Sequence, residues 1–398
     1  MLTRVYRQIT TVDSETQVTI ATSKKQVSTI KNQLGDKVNI CMEPDRRDTF
    51  PAICLAAAYL HDVKEISEDE AVVVCPVDPY VEESYFEALK ELAKMAGEGN
   101  ANLSLMGIEP TYPSEKYGYI IPENAKKVSR VSTFKEKPDA KTAEEYIKKG
   151  ALWNGGVFAF KLGYLLQRAH ELITFKDYED LFEHYSDQKK ISFDYAVVEH
   201  EKEIQVLRYH GEWKDLGSWN TFTEAMTTNV VGRAEMDDTC INTNVVNELN
   251  LPMLCMGCKD LVIAASPDGI LIADKEQSSY MKPYVEKIEQ QVMYAEKSWG
   301  SFNVLDVQDN SMTIKITLLP GHMLHYHSHD HRDEVWTVTN GHGRVVVDDV
   351  ERNVAAGDVI SLPIGCKHTV IADGKLEIIE VQLGNEISVE DKQKFEWK

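Results

Sequence analysis

The sequence predicts an α/β protein in three parts. These are a doubly wound sheet over residues 1–230, a β-rich connector with a linking helix over 231–295, and a small antiparallel β-barrel over 296–398. Three observations predict this. Residues 17–109 alternate short, near-continuous apolar runs with helix-period stretches, the pattern of a parallel sheet covered on both faces. Residues 231–290 switch to short β runs around turn signals such as Pro267-Asp-Gly269. From Ser301 onward, alternating strands and glycine-rich turns replace the helix signals.

In chain order, Gln17-Val-Thr-Ile-Ala, Lys37-Val-Asn-Ile-Cys-Met, Ala71-Val-Val-Val-Cys and Leu103-Ser-Leu-Met-Gly-Ile read as strands. Segments 49–62 and 82–96 read as helices, with Asp48 and Ser84 as caps. Thr142-Ala-Glu-Glu145 reads as a capping box that opens a helix to about Lys149. Leu261-Val-Ile-Ala-Ala and Ile270-Leu-Ile-Ala flank the Pro-Asp-Gly turn as a hairpin or as rungs. A helix is expected near 277–293.

The 398 residues carry 43 Lys and Arg against 64 Asp and Glu, a net charge of −21. That balance disfavours nucleic acid and anionic membranes as partners, and an anionic substrate would need local cations or a metal. No run approaches the roughly 20 apolar residues of a membrane helix, and Met1-Leu-Thr-Arg-Val-Tyr-Arg has no signal-peptide stretch. Seven scattered cysteines suit a reducing, cytoplasmic setting. Cys255-Met-Gly-Cys258 is a single CxxC in an apolar run, and packing explains it better than redox chemistry or zinc.

His327 and His329, at i and i+2, share one face of an extended chain. With Glu334 and His368 they make a three-imidazole, one-carboxylate set suited to zinc, manganese, iron or nickel. His322, His325, His331 and His342 read as surface residues. The spacing GX5HXHX4EX6G from Gly321, then GX5PXGX2H from Gly357, resembles the two cupin motifs, with Ala372 where the second ends in Asn.

Upstream, polar clusters stand at strand ends, where ligands bind in open α/β sheets. They are Glu43-Pro-Asp-Arg46-Arg47-Asp-Thr49-Phe-Pro-Ala, Pro76-Val-Asp78, Tyr117-Gly118-Tyr119-Ile, Phe134-Lys-Glu136-Lys137-Pro, Trp153-Asn154-Gly-Gly156-Val-Phe, Ser192-Phe-Asp194-Tyr-Ala and Trp213-Lys-Asp215-Leu-Gly-Ser-Trp. Asp78 and Asp215 are carboxylates that could hold one Mg²⁺. In this order the segments resemble the mannose-1-phosphate guanylyltransferase (GDP-mannose pyrophosphorylase) family, motifs EPxxRnTxPA, GIxPTxPxxxYGYI, FxEKP, WNxGxF, SxDYA and WxDxGSW. Arg332-Asp-Glu334-Val-Trp336 and Ile379-Glu-Val-Gln-Leu-Gly384 resemble the cupin of its long type, similar to type II mannose-6-phosphate isomerase.

The resemblance implies a nucleotidyltransferase-like sheet (Rossmann-like, GT-A) and a C-terminal cupin. It implies attack of mannose 1-phosphate on the α-phosphorus of GTP, or of another nucleotide, with pyrophosphate leaving. By carry-over, Asp78 and Asp215 are catalytic and hold Mg²⁺, while Gly118, Tyr119, Glu136, Lys137, Asn154 and Gly156 line the sugar-phosphate pocket. Glu43, Arg46 and Thr49 lie near the nucleotide, and a homodimer is expected. The match departs at the start, where Met1-Leu-Thr-Arg-Val-Tyr-Arg-Gln-Ile aligns with the helix after the family's GGxGTRLWPLS loop. Without that phosphate cradle the chain as given could be inactive, through a start set too late, degeneration, or a loop from another chain. In the cupin, His327 stands where bifunctional members carry Gln, and an arginine of their tail has no counterpart. Two alternatives follow: a metal-dependent mannose-6-phosphate isomerase acting through the cupin, and a noncatalytic sugar-nucleotide-binding regulator.

Overall fold

Helix α1 (Leu2–Val12) begins the described chain, followed by the parallel pair β1 (Thr19–Ser23) and β2 (Asn39–Glu43), which α2 (Val27–Leu34) connects. This computed structural model describes residues 1–35, 38–288, 291–388 and 391–397, so Lys37 of the second expected strand lies outside the described residues. The chain divides into two units, Met1–Gly217 and Ser218–Lys398.

The main sheet of the first unit has six strands. Their order is β3 (Ala71–Val74), β8 (Leu152–Lys161), β5 (Leu103–Ile108), β9 (Ile204–Tyr209), β7 (Val128–Lys135) and β6 (Tyr119–Pro122). A separate antiparallel ribbon joins β4 (Pro79–Val81) to β10 (Trp213–Asp215). One face of the main sheet packs Leu103, Leu105, Phe158, Phe160 and Val206 against α3 (Thr49–Ala58). The other packs Met106, Ile108, Val157, Ala159 and Leu207 against α1 and α4 (Ser84–Glu98).

That two-sided burial is why the strands are apolar throughout, but burial does not encode direction. The expected parallel sheet is in fact mixed: β8 runs antiparallel to both β3 and β5, and β5 runs parallel to β9.

Two caps shift. Asp48 caps α3 by accepting from the Thr49 N–H (2.8 Å). Ser84 is instead the first residue of α4, its hydroxyl bonded to Glu82 (2.8 Å) and Tyr209 (2.9 Å). Helix α5 (Ala140–Lys148) starts two residues before the expected box, because Asp139 accepts from the Thr142 N–H (2.9 Å) and takes the capping role.

In the second unit, Val230–Gly232, Asn244–Asn247 and Leu261–Ser266 stack as parallel rungs, and Gly269–Asp274 folds back on the last as a hairpin. Of the two forms weighed for this turn the hairpin is the one present, and only its first strand is also a rung. The helix expected near 277–293 is reduced to a 3₁₀ turn, Gln277–Tyr280, and one short helix, Lys282–Val285. None of the short helix's residues is buried, so it has no packed face to extend it. Residues 289 and 290 lie outside the described residues. All seven cysteines are free, and Cys240, Cys255 and Cys258 pack with Val245 and Ile263 in the connector core.

From Tyr294 the chain forms two antiparallel sheets, of six and five strands, around Trp336, Val338, Ile360, Leu376 and Ile378. His327–Ser328 pairs with both His368–Ala372 and Gln393–Lys394 in the five-stranded sheet. Glu334 comes from Arg332–Asn340 in the six-stranded sheet. The barrel thus brings residues 41 positions apart in sequence onto one site, His327 directly opposite His368.

Candidate functional site

The β4–β10 ribbon sets Asp215 opposite Pro79. Asp78 is the next residue, exposed in the bend before β4, and Asp215 is half-buried. The two carboxylates therefore leave adjoining backbone at one end of a ribbon, and oxygen donors of this kind suit Mg²⁺. Asp215 accepts from the Gly217 N–H (2.8 Å). Burial, and then the charge of Asp215, push the neighbouring Tyr117 hydroxyl well up. Trp153 and Trp213 flank Tyr117 with ring centroids 5.0 and 5.5 Å away, so Trp213 is a packing residue.

A second cluster forms behind β6 and β8. Glu136 and Asn154 are buried, at 6% and 9% exposure. Lys137 Nζ lies 2.9 Å from Glu136 Oε1, and Glu136 Oε2 is buried with no hydrogen-bond partner. Burial opposes the Lys137 charge, but Glu136 outweighs it and the ammonium pKa is raised. Asn154 donates through Nδ2 to Asp194 Oδ1 (2.6 Å) and accepts at Oδ1 from the Gly156 N–H (3.1 Å). Burial, with Glu136 adding, pushes the Asp194 carboxyl up to about 6.

Gly118 explains the proximity. Its carbonyl accepts from the Asn154 N–H (2.8 Å), and a Cβ there would collide with Glu136 Oε2 and stand 3.0 Å from Phe134 Cζ. The glycine makes room for a carboxylate. Gly118→Ala is expected to cost about 1–3 kcal/mol, the range for a methyl forced into a filled site, read in denaturant melts. It should also displace Glu136.

Tyr119 is placed differently from the expectation. It is fully buried, and its hydroxyl donates to Ser114 O (3.0 Å) while accepting from Ser114 N–H (2.8 Å) and Trp153 Nε1 (3.0 Å). A hydroxyl so committed is a core element, because the turn before β6 closes over it.

Glu43, at the end of β2, accepts from the Tyr185 hydroxyl (2.9 Å). Burial raises its pKa, with Tyr185 and Arg46 opposing. Arg46 is exposed. Thr49 Oγ1 accepts from the Phe193 N–H (2.8 Å), which ties this segment to the residue before Asp194. Asp194 was not among the assigned residues. Its sequence signal was the Ser192–Ala196 element, but spacing alone does not aim it at Asn154.

In the barrel, one ligand atom from each of His327, His329, Glu334 and His368 lies within 4.8 Å of the others, and all four residues are buried. The Nδ1 atoms of His327 and His368 meet the carbonyls of His325 (2.6 Å) and Cys366 (3.1 Å), and that of His329 meets the Asp391 carbonyl. A carbonyl only accepts, so each Nδ1 carries the proton and each Nε2 keeps its lone pair. His329 Nε2 then faces Glu334 Oε1 at 2.9 Å, and the Arg332 guanidinium bridges the two acceptors, with Nη2 3.1 Å from His329 Nε2 and Nε 3.0 Å from Glu334 Oε1. His368 Nε2 is buried without a hydrogen-bond partner. The donor set fits a divalent metal.

Glu334 also accepts from Arg332 Nε and Trp336 Nε1, both at 3.0 Å. Burial alone would raise its pKa, but the hydrogen bonds around it hold the carboxyl well below the usual range. Nearby, burial and then Glu334 push the Glu380 carboxyl up to about 8, and burial pushes Lys392 down. His322, His325, His331 and His342 are exposed.

Burial first, and then Lys392, lower the His327 imidazole to about 2. An unfolded histidine titrates near 6.5. Below that pH the unfolded chain binds a proton that the folded barrel refuses. The stabilisation is complete above pH 6.5 and is lost as pH falls toward 2. The metal-free barrel is expected to lose about 2 kcal/mol between pH 6.5 and 5 in denaturant melts, at roughly 1.4 kcal/mol per unit.

Two family models match the chain: Nucleotidyl transferase over residues 2–230, and Mannose-6-phosphate isomerase C-terminal over residues 285–397. The mannose-1-phosphate guanylyltransferase ManC of Salmonella typhimurium is 30% identical over 400 residues, spanning 90% of this chain and 82% of that one. The alginate biosynthesis protein AlgA of Pseudomonas aeruginosa is 29% identical over 394 residues, spanning 90% and 80%. The crystal structure of mannose-1-phosphate geranyltransferase from Thermus thermophilus superposes with a TM-score of 0.59 at 27% identity, covering 71% of this chain and 88% of that one. The fold, the two matched regions and these relatives together show that the chain belongs to the long-type mannose-1-phosphate guanylyltransferase family, a nucleotidyl transferase domain followed by a mannose-6-phosphate isomerase C-terminal domain.

Proposed function

We propose that this chain converts mannose 1-phosphate and GTP to GDP-mannose and pyrophosphate, with Asp78 and Asp215 at the reacting phosphates and the Glu136 cluster at the sugar. One observation carries this reading. Gly156, bonded to Asn154, turns toward Pro76, two residues before Asp78: a Cβ built on it would stand 3.9 Å from Pro76 Cγ, so the buried cluster neighbours the carboxylate loop. A phosphate oxygen of the sugar phosphate attacks the α-phosphorus, the bond to the β-phosphate breaks, and pyrophosphate leaves. Such an in-line displacement demands positioning and charge neutralisation more than covalent help. Mg²⁺ held by Asp78 and Asp215 would supply the positive charge that bridges the phosphates. Glu136 Oε2 accepts a sugar hydroxyl, Lys137 faces the sugar's phosphate, and Glu43, Arg46 and Thr49 contact the nucleotide. Purified chain with both substrates and Mg²⁺ should release pyrophosphate and GDP-mannose in equal amounts. Ligand binding with no product would favour the regulatory alternative.

A second reading rests on buried Glu380 and half-buried Lys392, beside the barrel's donor set. A metal there, whether zinc, manganese, iron or nickel, would polarise a sugar carbonyl, and Glu380 would move the proton in an aldose–ketose isomerisation. His329→Ala should then abolish conversion of mannose 6-phosphate to fructose 6-phosphate. Equal conversion by metal-stripped protein would overturn this reading.

We place the enzyme in the cytoplasm, where its nucleotide is found. The parts 1–230, 231–295 and 296–398 serve as catalytic, connecting and metal-binding segments, in a homodimer. The exposed Leu251, Leu254, Ile270 and Ile272 of the connector support a covered face. Among the described residues no helix is long and apolar enough to cross a membrane.

A further inference from the structure

Asn154 joins two parts of the first unit, one through its side chain and one through its backbone. Through Oδ1 it accepts the Gly156 N–H, and a Cβ built on Gly156 (φ 70°) would stand 3.9 Å from Pro76 Cγ in the Asp78 loop. Through its backbone N–H it bonds Gly118, whose open face receives Glu136. An asparagine amide has nearly the same shape in either orientation, so its partners decide which way it points. Flipped, Asn154 would set N–H against the Gly156 N–H. It would also set its carbonyl against Asp194.

We propose that Asp194 is a positioning residue of the sugar-phosphate pocket: its carboxylate, 2.6 Å from Asn154 Nδ2, fixes the amide that braces the Gly156 turn, on the residue whose backbone bonds Gly118 beside Glu136. The proposal rests on the reading of this pocket as the sugar-phosphate site. Asp194 is itself anchored. It begins the π-helical turn Asp194–Val198, and the preceding residues are pinned by Thr49 Oγ1 to Phe193 N–H (2.8 Å) and by Ile191 O to Phe50 N–H (3.2 Å).

Asp194→Asn keeps an oxygen that accepts from Asn154, whereas Asp194→Ala keeps none. The test uses the full chain, titrated with mannose 1-phosphate and separately with GTP in a calorimeter. Hydrogen exchange at the Gly156 amide is followed in parallel. Asp194→Ala should weaken mannose 1-phosphate about 10- to 50-fold, the range for a lost buried hydrogen bond to a charged group, and leave GTP within about twofold. Asp194→Asn should recover to within about threefold of wild type. Asp194→Ala with Asn154→Ala should bind no more weakly than Asn154→Ala alone, because both act on one amide. Gly156 should exchange faster in Asp194→Ala and not in Asp194→Asn. If Asp194→Ala binds like wild type, or Asp194→Asn is as weak as Asp194→Ala, the positioning role is overturned. If wild type binds GTP but no mannose 1-phosphate, while Gly156 still responds to Asp194→Ala, the bracing stands and the sugar assignment fails.

Discussion

Asp215→Asn is expected to lower pyrophosphate release by about 10²- to 10³-fold, the scale for removing one group that stabilises transition-state charge. The substitution is nearly isosteric. Asn keeps an oxygen for the Gly217 N–H, so the end of the ribbon should hold its shape. What is lost is one of the two negative charges proposed to anchor a divalent ion. The loss should therefore fall mainly on kcat, with the melting temperature within a degree or two of wild type. Steady-state kinetics beside a thermal melt separate the two effects. A large fall in stability with unchanged kcat in the surviving protein would recast Asp215 as a folding residue.

The second large effect is expected in the barrel. Glu334→Ala should cost about 3–5 kcal/mol, the range for breaking a buried pair from one side. It leaves the Arg332 guanidinium, 7% exposed, without its carboxylate, and it removes the acceptor of Trp336 Nε1. It also deletes the only charged donor of the four-residue set, so metal should be lost with the stability. Glu334→Gln keeps the volume and an acceptor for Trp336, and should recover much of the fold but not the metal. Denaturant melts and elemental analysis check both variants. Full metal content in Glu334→Ala would show that the ion sits elsewhere.

The barrel site could be read in the sequence because its chemistry is written locally. His327 and His329 alternate on one strand, Glu334 follows five residues later, and the glycines at 341 and 365 take the positive φ that their turns require. The first unit was legible in outline only. Continuous apolar runs reported burial on both faces of the sheet, yet said nothing of direction, so β8 came out antiparallel to its neighbours. Tyr119 stood inside a ligand-like motif, but whether a tyrosine faces a pocket or a core depends on what the turn at Ser114 does. Asp194 was hidden for a related reason: its partner Asn154 is brought near only by the fold. A helix was expected near 277–293, but no residue of the short helix Lys282–Val285 is buried, and propensity alone did not extend it. Arg332 stands two residues before Glu334 on the same strand, within reach of spacing, whereas Glu380 and Lys392 approach from another strand and the tail.

We propose that Asp78 and Asp215 together hold a divalent ion at the reacting phosphates. Crystals of the full chain grown with manganese and GDP-mannose, measured at a wavelength where manganese scatters anomalously, test it most directly. The predicted result is an anomalous peak within coordination distance of both carboxylates and of a nucleotide phosphate. A peak confined to the His327–His329–Glu334–His368 set, with the nucleotide bound and no ion between Asp78 and Asp215, would contradict it.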